Sequence, residues 1–157
     1  MKSNGYNLEL EMNNLYQGVL HIMLRHFNEF EHRVPGLAAQ LSRLPADVKV
    51  LMEKYAKCTT QKSKNQVFHD LKTKLSLNKS NKVLFKAQAM LSSYLYSIVH
   101  ATPTTSTEAK QNRLCLTFEL NKKETLKVIA SGAIATRTDP LNRKFIRNIV
   151  TAYIRSF

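Results

Sequence analysis

The sequence predicts a mainly α-helical fold, a compact bundle of about six or seven helices with one short strand or strand pair near 113–120. Three observations lead there. Glycine and proline are scarce, four of each in 157 residues, so helices meet few breakers. Apolar side chains recur at three- and four-residue steps over long stretches. Hydrophobic residues make up 43% of the chain, enough for a core that needs neither disulfide nor metal. The length fits one domain, 1–157.

The first helix is expected from about Leu8 to His32. Leu8, Met12, Leu15, Val19, Ile22 and His26 form one stripe, and Tyr16, Leu20, Met23, Phe27 and Phe30 its neighbour. Glu9 and Glu11 suit its positive N-terminal end, and Val34-Pro35-Gly36 stops it. A short helix, LAAQLSRL, ends before Pro45. ADVKVLMEKYAKC then sets Val48, Leu51, Met52 and Tyr55 on one side of a third helix, and TTQKSKNQ reads as a polar loop. Val67, Phe68, Leu71 and Leu75 mark a fourth. The most regular helix follows, capped by Ser80, with Val83, Leu84, Ala87, Met90, Leu91, Tyr94, Leu95, Ile98 and Val99 in register.

TPTTSTEAKQN, 102–112, is a flexible Thr-rich loop that separates 1–101 from a C-terminal helical subregion, 113–157. RLCLTFEL has two readings. Leu114, Leu116, Phe118 and Leu120 alternate at the strand period, which predicts a strand paired with a copy of itself or with an edge elsewhere. Thr105 and Glu108 also fit a capping box, which would start a helix. Asn121 and Glu124 form a second such box before KKETLKVIASGAIATRT, and Asp139-Pro140 opens a closing helix to Phe157. On that helix Phe145, Ile146, Ile149, Val150, Tyr153 and Ile154 fill a wide apolar arc. Arg143, Lys144, Arg147 and Arg155 share the remaining wedge of about 120°.

Charge narrows the function. There are 24 Lys and Arg against 11 Asp and Glu, net +13. Residues 1–35 hold three basic and four acidic side chains, 36–100 eleven and three, and 101–157 ten and four. Such a field attracts polyanions, nucleic acid first among them. The lysines of the middle region and the cations of the last helix are the expected contacts: Lys62, Lys64, Lys72, Lys74, Lys79, Lys82, Lys86, Arg137, Arg143, Lys144 and Arg147. Lysine is a mobile point charge that tracks phosphate and reads no bases. The aromatic residues Phe68, Phe85 and Tyr94 fall on helices and fit apolar faces, and Tyr96 is the ring expected at the surface. A helix-turn-helix over 124–150 fits poorly, because Lys127 stands where a buried apolar residue belongs.

Catalytic signatures are missing. His21, His26 and His32 lie five and six residues apart and face different ways. There is no HExxH, no phosphate-binding glycine loop and no GxSxG, and no cofactor or metal is expected. Cys58 and Cys115 read as reduced thiols of a cytoplasmic protein. No apolar run is long enough to span a membrane. The expectation is a non-catalytic protein that binds nucleic acid, DNA or RNA, through the phosphate backbone, as a subunit of a nucleoprotein complex. The alternative is a scaffolding or adaptor protein whose basic surface meets an acidic protein. In either case the N-terminal helix is core or a candidate surface for a homo-oligomer or larger assembly.

Overall fold

The N-terminal third shows first where the fold departs from a helical bundle. In the computed structural model, which describes residues 7–77, 81–109, 112–132, 134–135 and 145–156, Leu8–Glu9 is a short strand, β1. The helix that follows, α1, spans only Val19–Phe30. Backbone conformation explains the late start. Asn13 has φ 61 and Gly18 has φ 85. A side chain on Gly18 would place its Cβ 2.4 Å from the Glu11 carbonyl oxygen. No helix passes through such residues. Met12 and Leu15 still pack against the core, from an irregular segment, so the apolar stripe is used without the helix.

From α1 to residue 99 the elements are helical. α2 spans Leu37–Leu41, α3 Ala46–Lys57, α4 Gln61–Leu77 and α5 Asn81–Val99. The stop at Val34-Pro35-Gly36 holds, and Gly36 adopts the left-handed conformation at the start of α2. The stretch read as a polar loop, TTQKSKNQ, is instead the first turn and a half of α4. Thr60 explains this: its Oγ1 accepts the Ser63 N–H at 3.2 Å, a helix cap in a segment with no apolar signal. Arg25 of α1 donates to the carbonyl oxygens of Tyr55 and Cys58, the latter at 2.9 Å, and so closes the C-terminal end of α3.

The region expected to finish in helices is a β-sheet, which corrects both the mainly α assignment and the C-terminal helical subregion. β2 spans Thr105–Ala109, β3 Arg113–Glu119, β4 Glu124–Ala130, β5 Ile134–Ala135 and β6 Phe145–Ser156. The order is β1-β6-β4-β3-β2, and β5 pairs with the start of β6. All neighbours are antiparallel except β1 and β6. The sheet curls into a half-barrel, making the protein α+β. Strand β3 finds its partners within the chain, in the segments read as Thr-rich loop and as helix. The Asn121–Glu124 pair caps no helix; Asn121 Nδ2 donates to Glu124 Oε1 at 2.9 Å at the entry to β4. The pair closes the β3–β4 hairpin, where the Leu120 N–H meets the Glu124 carbonyl at 3.0 Å.

β6 replaces the closing helix for two reasons. Ile146, Ile149, Val150, Thr151, Tyr153 and Ile154 are β-branched or aromatic and favour a pleated surface. All but Thr151 are apolar and they fall on both strand faces, which a helical projection displays as one wide arc. Val150 is an extra residue: Ile129 pairs with Thr151 but Ala130 with Ile149. Such a bulge bends and twists a strand, in keeping with the curl.

One face of the sheet carries Leu116, Phe118, Leu126, Val128, Ile149 and Ala152, all buried. They join Ile22, Met23, Leu24 and Phe30 of α1 and Leu91 and Leu95 of α5 in one apolar cluster. Each fully buried side chain of this kind contributes about 1.5–3 kcal/mol. The outer edge of β6 is occupied stepwise. β1 pairs with Arg147 and Asn148, the Gly18 N–H reaches the Val150 carbonyl at 3.1 Å, and Glu29 Oε1 accepts the Ile154 N–H at 2.7 Å. α1 packs between sheet and helices, and Val19, Leu20, Ile22, Met23, Leu24, Phe27 and Phe30 are buried in the core.

Candidate nucleic-acid interface

The middle lysines are carried by α4 and α5, two consecutive helices that bury Leu71 and Leu75 on one and Leu84, Ala87, Leu91 and Leu95 on the other. The opposite sides face solvent. Lys62, Lys72, Lys82 and Lys86 are exposed and Lys64 is half-buried. None of these five forms an ion pair among the described residues. Lys74 differs: its Nζ lies 3.0 Å from Asp47 Oδ2 on α3. That hydrogen bond is the main cause holding the Asp47 carboxyl below the usual aspartate range.

The structure therefore divides the expected patch. Lys72 and Lys82 line one groove, together with Asn13, Leu15, Leu20, Leu75, Leu84, Phe85 and Gln88. It holds about 740 Å³. Lys86 stands one turn beyond Lys82 on the same helix. Lys82 and Lys86 repel each other with no acid between them, a small cost that a bound anion reverses. Lys62 and Lys64 occupy the far end of α4, about 15 Å of helix away from Lys72. Lys74 turns to α3 and borders a second groove of about 580 Å³ with Val50, Leu51 and His69.

Four expected contacts, Lys79, Arg137, Arg143 and Lys144, lie outside the described residues. Arg147 belongs to β6, not to a basic helix. It donates Nη1–H to the Ser131 carbonyl at 3.1 Å, and its backbone N–H meets the Asn7 carbonyl at 3.2 Å. It ties β4 and the N-terminal segment to β6.

Two aromatic assignments change. Tyr96 is half-buried, and its Oη accepts the Leu10 N–H at 2.8 Å. Phe85 is instead exposed, 54% accessible beside 67% for Tyr16, and it borders the groove between Lys82 and Lys86 in sequence. A signal for this exists in the sequence. The stripe Leu84–Leu91–Leu95 leaves Phe85 about 100° off its centre, on the side of Lys82 and Ala89.

The histidines show no shared chemistry. His26 Nδ1 pairs with Glu29 Oε2 at 2.6 Å. His21 is pulled below the ordinary histidine pKa, chiefly by burial and then by the charge of His26. Among the described residues no group of three or more His, Cys, Asp or Glu side chains is placed to share a metal. No described helix is long and apolar enough to cross a membrane. Compared with protein-family models, curated proteins and solved structures, the chain matches none.

Proposed function

We propose that this chain is a non-catalytic protein that holds nucleic acid by its phosphate backbone, as a subunit of a nucleoprotein complex, with the solvent side of α4 and α5 as the contact surface. One observation carries the reading: Lys62, Lys64, Lys72, Lys82 and Lys86 lie on two consecutive helices with no ion pair among the described residues, while Lys74 is paired with Asp47. A surface kept only for solubility mixes signs, because neighbouring opposite charges stabilise a helix and like charges do not. Lysines without such relief favour an external anion, and each phosphate neutralised releases condensed counterions. A reducing, cytoplasmic setting suits Cys58 and Cys115, both unpaired.

The test is the salt dependence of binding to nucleic acid, with Lys72 and Lys82 reversed to glutamate in one variant. A phosphate binder loses affinity with a log–log slope of about 0.7–0.9 per contact, and the double variant has a shallower slope. An adaptor for an acidic protein instead shows no retention on DNA or RNA at about 50 mM salt. That result overturns the proposal.

A further inference from the structure

Phosphate contacts alone leave the groove beside those lysines unexplained. Its lining is mostly aliphatic, Leu15, Leu20, Leu75 and Leu84, with Phe85 at the opening and cations at Lys72 and Lys82. Phe85 is more than half exposed and makes no ring contact among the described residues. A large exposed ring between two lysines, next to an apolar recess, has a cost in water that an occupant removes.

We infer that the Leu15–Leu20–Leu75–Leu84–Phe85 groove receives an unstacked base of a single-stranded nucleic acid, whose phosphates are held by Lys72, Lys82 and Lys86. The inference rests on the proposed function and narrows it from nucleic acid to single strands. The chemistry requires both halves of a nucleotide. Its backbone is anionic and matches the lysines. Its base has an apolar face that stacks on an aromatic ring whatever the sequence. A duplex offers the phosphates but keeps its base faces stacked inside, so the groove and Phe85 stay empty against it. The groove's volume lies within the range of small-ligand clefts.

The experiment measures binding of the full chain to three labelled probes of about 12 nucleotides: oligo(dT), a duplex, and a single strand in which every base is missing. Wild type, Phe85→Ala, Phe85→Trp and Lys72→Glu/Lys82→Glu are compared. Phe85→Ala is expected to weaken oligo(dT) binding about tenfold, the size of one base–aromatic stack, and to leave the duplex and baseless strand within about twofold. Phe85→Trp keeps the affinity, which separates loss of a ring from a folding defect. The lysine variant weakens all three probes. If Phe85→Ala changes no probe, or all three equally, the base pocket is wrong while phosphate binding stands. If no probe binds wild type, both fall. If phosphatidylserine vesicles bind in a Phe85-dependent way and oligo(dT) binding ignores Phe85, the groove belongs to a lipid and the inference is overturned.

Discussion

Gln88, in the middle of α5, grips Asn13 by both ends of its amide. Its Oε1 accepts the Asn13 N–H at 2.7 Å, and its Nε2 donates to Asn13 Oδ1 at 3.0 Å. Gln88 is 1% exposed, and Asn13 satisfies both ends of its amide. The pair pins the irregular N-terminal segment to α5 and forms one end of the groove beside Phe85.

Gln88→Leu removes both bonds while keeping the volume. Two net hydrogen bonds are worth about 2 kcal/mol, and for a chain of this length that lowers Tm by roughly 4–8 °C. Thermal unfolding followed by circular dichroism reads the shift. Asn13→Gly removes the Oδ1 half of the same pair at a positive φ that glycine tolerates, so with Gln88→Leu that half is lost only once and the double variant loses less than the sum of the singles. Fully additive losses would show that the two residues act independently.

Gly18 meets three demands in one position. Its φ of 85 and ψ of −160 lie where only glycine is at ease. Its N–H closes on Val150 at the β6 bulge, and its carbonyl accepts the Ile22 N–H at 3.0 Å. Gly18→Ala adds a carbon in collision with the Glu11 backbone. A loss of about 3 kcal/mol is expected in urea unfolding. A midpoint unchanged from wild type would show that the Glu11–Gly18 turn takes another course.

The same turn shows where the sequence is legible. Residues that bury one clean stripe, such as Leu84, Leu91 and Leu95, declare α5 through local spacing alone, and α3 does the same through Val48, Met52 and Tyr55. The alternation of Leu114, Leu116 and Phe118 declares β3. What local spacing cannot convey is non-local pairing. Leu8 and Glu9 continue an apolar helical pattern, yet they pair with Arg147 and Asn148, nearly the full chain away. β6 carries apolar residues on both faces, so they follow neither period cleanly. Of the site, the lysines were visible as charge. Their division was not, because Asp47 neutralises Lys74 across two helices. Phe85 was visible only as a residue off its helix stripe, a signal that needs the width of the buried face to interpret.

His21 makes stability depend on pH. Its Nδ1 is enclosed without a hydrogen-bond partner among the described residues. Burial, the charge of His26 and that of Arg25 hold its pKa below 6.5, against a smaller opposing effect of the Leu15 carbonyl. The folded chain thus binds this proton more weakly than the unfolded chain. The stability it contributes is complete above about pH 6.5 and declines as the pH falls through the folded value. Urea midpoints at about pH 7.5 and about pH 5 should separate for wild type more than for His21→Gln. Equal separations would mean that the imidazole is not the group responsible.

Lys74 and Lys72 are two residues apart on α4 and should behave oppositely toward a polyanion. The Asp47 carboxylate accepts a hydrogen bond from Lys74 at 3.0 Å, so a phosphate arriving there must displace a carboxylate and gains little. Lys72 has no such partner among the described residues and faces the groove. Lys74→Ala is expected to leave affinity and salt slope nearly unchanged, whereas Lys72→Ala lowers the slope by about 0.7–0.9. Asp47→Asn releases Lys74 and should raise affinity at low salt, the one substitution here that strengthens binding. Titrations of a single strand at several salt concentrations give all three slopes. If Lys74→Ala weakens binding as much as Lys72→Ala, the neutralised lysine is in contact with phosphate after all, and the interface extends over the α3–α4 groove.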